Sequence, residues 1–195
     1  TFVLVLLCFT FTSLLVAGDN PKSVSAIRIQ SPPKIDGDLT DDVWKNVEPA
    51  TSFTQRDPAE GQPATEETEI RVLYDDNALY FACMFFDSEP DKIVSLLTRR
   101  DNEIEYDRGS IRIDSYHDHQ TAFEFSFNPA GVKVDILQYD DANREDASWD
   151  VVWDLETKIL PNGWSAEIKI PFHVLRYRTE EGNTGEQEWG VNFLR

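Results

Sequence analysis

Two tryptophans four residues apart, each followed by an aspartate, make up the segment Trp149-Asp150-Val151-Val152-Trp153-Asp154. Aromatic faces laid against C–H surfaces, with fixed polar groups for hydroxyls, are the chemistry of saccharide recognition, so Trp149, Asp150 and Trp153 are candidate carbohydrate contacts. The competing reading is core. On an alternating strand, positions four apart share a face, and an inward face would bury both rings. Trp149 borders an acidic loop, whereas Trp153 sits deeper in the strand pattern and leans toward the core.

Acidic clusters offer a second chemistry. Hard cations such as calcium take carboxylate and carbonyl oxygens from loops. Asp101, Glu103 and Asp107 form one candidate set, and Asp140, Asp141 and Glu145 another. With 36 acidic residues in the chain, clusters also arise by chance as solvated surface. His117, His119 and the distant His173 lack a local zinc spacing. Cys83 and Met84 lie inside the apolar run LYFACMFF and read as core side chains. A glycosidase needs two carboxylates at a set separation with distinct pKa values. The abundance of acids makes any such pair uninformative, and no nucleophile motif is present.

The charge balance narrows the partners. A formal net charge of −18 repels nucleic acid and anionic lipid surfaces, since both require a basic face. The first seventeen residues carry no charge and are followed by Gly18 and Asp19-Asn20-Pro21. This is the pattern of a secretory h-region, and residues 1–18 are expected to be a signal peptide rather than a retained anchor. Cys8 falls in that leader, so Cys83 is left without a disulfide partner, and the core must hold the fold unaided.

Candidate residues need elements to place them, and the pattern is of strands. Ala26–Gln30 alternates. Glu69–Tyr74 and Ala78–Phe86 flank the turn Asp75-Asp76-Asn77, and the second arm is apolar on both faces, as a covered central strand is. Gly109–Tyr116 contains the alternating Ile111-Arg112-Ile113-Asp114. Phe123–Phe127 and Val132–Ile136 flank Asn128-Pro129-Ala130-Gly131. Trp149–Leu160 and Trp164–Ile170 form a hairpin around Pro161-Asn162-Gly163, where Gly163 can take the positive φ of a tight reversal. Trp189–Phe193 starts a last strand. Asp41 and Asp42 before Val43-Trp44 suit the first turn of a short helix, and Asp140–Ser148 reads as an acidic loop. About nine strands and almost no helix predict an all-β, antiparallel β-sandwich of jelly-roll type over residues 22–195.

The ordered motifs Ile35-Asp36-Gly37 with Trp44, Thr68–Asp76, Asp107 leading into Ile111–Asp114, Phe127–Gly131, Gly163-Trp164 with Glu167 and Ile170-Pro171, and Trp189-Gly190 with Asn192 resemble the family 9 carbohydrate-binding module. The likeness is to the version at the N-terminus of large exported bacterial proteins whose C-terminal part is membrane-associated. It implies a non-catalytic module binding a poly- or oligosaccharide, exported to the periplasm, the outer membrane or the exterior, and acting in carbohydrate catabolism. It also implies a tryptophan in the loop before β-strand residues 107–114, where this chain offers only Tyr106. The family's acid on that strand falls at Ser110, its arginine on the next strand at Ser126, and a further polar position at Leu194. The alternative expectation is an interaction domain that packs on the C-terminal part of the same protein and binds no sugar. Some relatives bind haem through Met and His, which would use Met84. Trp44, Trp164 and Trp189 are expected in the core.

Overall fold

The computed structural model describes residues 22–100, 107–177 and 187–195. The signal peptide expected at residues 1–18, and Asp101, Glu103 and Tyr106, lie outside them. Ten strands are described: β1 Ile27–Arg28, β2 Thr68–Tyr74, β3 Ala78–Phe86, β4 Gly109–Asp114, β5 Ala122–Phe127, β6 Lys133–Tyr139, β7 Arg144–Asp146, β8 Asp154–Leu160, β9 Gly163–Pro171 and β10 Gly190–Leu194. They form two five-stranded sheets, in the orders β1-β2-β3-β9-β8 and β10-β4-β5-β6-β7. All pairings are antiparallel except β1 on β2, which is parallel.

The period of two decides what each strand buries. Leu79, Phe81, Cys83 and Phe85 of β3, and Trp164, Ala166, Ile168 and Ile170 of β9, face Ile111, Ile113, Phe123, Phe125 and Phe127 of the second sheet in one interior. The other face of β3 is also covered. Ala78, Tyr80 and Ala82 pack with Trp44 and Val47 in a second, smaller core. Each fully buried large side chain there contributes about 1.5–3 kcal/mol by leaving water. Cys83 is completely buried, and burial pushes its thiol far above the ordinary range, which leaves it unreactive.

The outer face of β9 explains why Ile35-Asp36-Gly37, Trp44 and Glu167 recur as a set. Glu167 is fully buried. Its Oε2 accepts the backbone N–H groups of Asp36 and Gly37 at 2.9 Å each. Its Oε1 accepts the Trp44 indole N–H at 2.9 Å. The N-terminal loop is thereby tied down over the sheet, and Gly37, at φ +77°, makes the turn that presents both amides. Asn128 does similar work in the β5–β6 turn, its Oδ1 taking the amides of Ala130 and Val132 at 3.0 Å.

Four local expectations are corrected. The hairpin arm expected from Trp149 begins as a strand only at Asp154, because residues 149–153 are held by side chains rather than by a ladder. Part of the acidic loop, Arg144–Asp146, pairs with β6 as β7. Residues 41–47 form hydrogen-bonded turns instead of a helix, with Trp44 N–H donating to Asp41 O at 3.1 Å. Trp189 is only partly buried and sits at the core's margin against Phe172 and Tyr177, at 6.2 and 5.4 Å between ring centroids.

Candidate functional site

Trp149 and Trp153 occupy the edge of the interior between the sheets. Trp153 is 2% exposed, lies edge-on to Phe125 at 5.4 Å, and donates its indole N–H to Asp135 Oδ1 at 3.4 Å. Lys133 sits over its ring at 5.1 Å. It is a core residue, as an inward-facing position demands. Trp149 is partly buried and packs on Phe123 and Phe125 at 5.1 and 5.7 Å. Asp150 is exposed and pairs with Arg100 at 2.9 Å, while the same guanidinium also reaches Asp135 at 2.5 Å. The three residues thus form a seam, with the Trp153 indole buried in it and the Trp149 indole partly covered.

Asp107 is the one member of the first acidic set that is described, and its Oδ2 accepts the Val94 amide at 2.6 Å. Asp140, Asp141 and Glu145 are all described and do not converge: Glu145, on β7, accepts from Gln138 at 3.1 Å, while Asp140 and Asp141 form a turn. Among the described residues no group of three or more His, Cys, Asp or Glu is arranged to hold a metal ion.

A different constellation lies on the outer face of the second sheet. Alternation with the inward Ile111, Ile113, Phe123 and Phe125 turns Ser110, Arg112, Glu124 and Ser126 outward. Register aligns them in rows: Leu194, Ser110, Ser126 and Val134 across four strands, then Asn192, Arg112, Glu124 and Ile136. Gln138 and Glu145 pair in the row beyond. The three positions the family likeness assigned to sugar contact, Leu194, Ser110 and Ser126, are therefore one row. Both serines are 3% exposed, and both hydroxyls donate to Glu124 Oε1 at 2.8 Å. That row is spent on internal bonding.

Glu124, itself 3% exposed, is the centre of the array. Its Oε2 accepts Arg112 Nε–H at 2.9 Å and the Gln138 amide N–H at 2.8 Å. An acid on β5 thus faces an arginine on β4, one row along from the serines and exchanged between the strands relative to the family's expected pair. Gln138 gives its other amide hydrogen to Glu145. Both partners are carboxylates, so the amide orientation is fixed and its carbonyl oxygen is left over.

Arg112 and Gln138 line a pocket of about 370 Å³, together with Asp114, Thr121, Asp141 and Asn192. Two loops build its rim. Asp114 accepts the amides of Asp118 and His119 at 3.2 and 2.8 Å. Asp118 takes those of Gln120 and Thr121 at 2.8 Å; desolvation raises its carboxyl, but these bonds prevail and hold it below the ordinary range. Asp141 N–H donates to Gln120 O at 3.1 Å and joins the two loops. Of the six non-glycine residues with positive φ among those described, His117, His119, Asp140, Asp141 and Ala142 belong to this rim. Left-handed backbone costs roughly 1–2 kcal/mol per residue and concentrates where surrounding structure fixes a binding surface.

Arg112, Glu124 and Gln138 were not singled out from the sequence. The available signal was a charge between two aromatics, Phe123-Glu124-Phe125, opposite Ile111-Arg112-Ile113. The pairing itself needs the register.

The family model described as carbohydrate family 9 binding domain-like matches residues 35–193. No curated protein matches the chain. Among solved structures, a family 9 carbohydrate-binding module of Caldicellulosiruptor kristjanssonii in complex with glucose is 19% identical, with TM-score 0.56, covering 87% of this chain and 76% of that one. The same organism's module with cellotriose gives 21% identity, TM-score 0.56, and coverage of 87% and 75%. A candidate carbohydrate-binding protein of Bacteroides uniformis gives 12% identity, TM-score 0.64, and coverage of 88% and 82%. These similarities establish the sandwich fold.

Proposed function

Because the chain belongs to the carbohydrate family 9 binding domain-like family, we propose that it is a non-catalytic module that binds a neutral saccharide in the outer-face pocket beside Arg112 and Gln138. The observation that carries this reading is the Glu124-centred array, which presents polar groups on rigid strands to a pocket that Asp114, Asp141 and Asn192 share with the apolar Ala122, Ala142 and Val191. Sites held this way by buried supporting bonds lose little entropy on binding. Its location also fits. The array lies on the same sheet face as the row implied by the family likeness, one to two rows along the strands.

Charge selects the ligand class. The formal net charge of −18, with Asp114 and Asp141 in the lining, disfavours polyanionic glycans and supports a neutral one. No Phe, Tyr or Trp lines the pocket, so the broad aromatic platform of a sugar-stacking site is absent from its lining and hydrogen bonding carries recognition there. Affinity is expected near the millimolar level, about −4 kcal/mol. An exported module acting in glycan capture or breakdown is the biological setting we propose, on the strength of the uncharged leader.

The test is calorimetric titration of the purified domain with glucose and cellotriose, the sugars held by the similar modules. Loss of a charged donor costs about 1.5–3 kcal/mol, so Arg112→Ala is expected to weaken binding about tenfold or more. Asn192→Ala, at an exposed position, should weaken it less and leave stability unchanged. Undiminished affinity in Arg112→Ala contradicts the assignment.

A further inference from the structure

The carboxylate of Glu124 divides its bonding by oxygen. Oε1 serves two serine hydroxyls, and Oε2 serves Arg112 Nε and Gln138 Nε2. We propose that Glu124 is a positioning residue that makes the pocket select one adjacent pair of sugar hydroxyls; this rests on the saccharide reading above and specifies it. With Nε engaged, Arg112 keeps the N–H groups of its two terminal nitrogens for a ligand. With both amide hydrogens engaged, Gln138 keeps only its carbonyl oxygen, an acceptor. One buried oxygen therefore orients a donor, Arg112, and an acceptor, the carbonyl of Gln138 (2% exposed), and both residues line a single pocket.

Neighbouring hydroxyls on a pyranose match that pair. One accepts from the guanidinium while the next donates to the amide carbonyl. A lone hydroxyl satisfies only half of it, and a carboxylate satisfies the guanidinium but leaves the carbonyl facing a second acceptor. With no Phe, Tyr or Trp in the lining, the sugar is held by its edge rather than its face.

The experiment is an NMR titration of the wild-type domain with glucose and four analogues: 1,5-anhydroglucitol (1-deoxyglucose) and 2-, 3- and 4-deoxyglucose. Each analogue lacks one hydroxyl donor at successive ring positions. The expected result is a roughly tenfold loss at two consecutive positions and none at the others. Glu124→Gln should keep this profile, because its amide oxygen can face Arg112 and Gln138 while its nitrogen donates to the serine hydroxyls. Glu124→Leu should flatten it, bringing every analogue to within about twofold of glucose. Equal affinity for all five sugars in the wild type, with shifts mapped to the pocket, overturns the hydroxyl-pair inference and leaves saccharide binding standing. A flattened profile in Glu124→Gln overturns the positioning role. No binding of any of the five removes both. The wild-type series decides even where Glu124→Leu does not fold.

Discussion

The Trp44 indole and the Glu167 carboxylate meet at 2.9 Å, across 123 positions of sequence, on the face of the first sheet that points away from the main interior. That bond, with the two backbone amides on the other carboxylate oxygen, joins the N-terminal loop to β9. Glu167→Ala would leave the Gly37 amide and the Trp44 indole without an acceptor in a buried site, and the Asp36 amide without one at its margin. Each buried orphaned donor costs about 1–3 kcal/mol, so the variant is expected to lose at least about 2 kcal/mol in urea unfolding, with Asp36–Trp44 amides losing hydrogen-exchange protection.

The same carboxylate sets a pH dependence. Burial pushes Glu167 above the ordinary carboxylate range, and the three donors offset only part of that. A carboxyl raised in the folded state contributes stability that is full below its unfolded pKa and is lost as pH rises through the folded one. The stability difference between wild type and Glu167→Gln, which does not titrate, should therefore shift against the wild type as pH rises from about 4. A difference that shifts the other way would show that the hydrogen bonds outweigh burial.

Gly163 gives a purely steric prediction. At φ +143°, a Cβ on this residue would stand 2.0 Å from Phe85 O and 2.9 Å from Phe86 Cα. Backbone cannot yield as a flexible side chain does, and Gly163 pairs directly with Phe86. Gly163→Ala is expected to destabilise by about 3 kcal/mol or more, or to prevent folding, measured as the urea midpoint.

Trp149 separates the two tryptophan readings. Its contacts with Phe123 and Phe125 predict that Trp149→Ala costs about 2 kcal/mol, below the full-burial value because the ring is only partly covered. Saccharide affinity should stay within twofold of wild type at matched folded fraction. A large affinity loss with stability intact would return the site to the seam.

The sheets were legible because the alternation is strict. Ala78–Phe86, apolar on both faces, is the central strand covered on both sides, and Trp164–Ile170 buries the residues its period of two assigns. The Trp149–Trp153 stretch reads as strand in sequence because period two looks the same in an irregular segment, where Asp135 takes the Val151 amide at 2.8 Å in place of a ladder partner. β7 has no sequence signal because three charged residues pair by backbone and leave no apolar pattern. The site was the least legible part. Glu124 meets Arg112 and Gln138 only through the β4–β5–β6 register, and nothing in their spacing announces that one buried oxygen serves both.

The central claim is that saccharide binding resides in the Arg112–Gln138 pocket. The most direct measurement is backbone amide NMR during titration of the domain with cellotriose. Perturbations are expected to concentrate at Arg112–Asp114, Thr121–Glu124 and Gly190–Asn192, and to require about tenfold more sugar or beyond in Arg112→Ala. Perturbations centred on Trp149–Asp154, or none at saturating sugar, would contradict it.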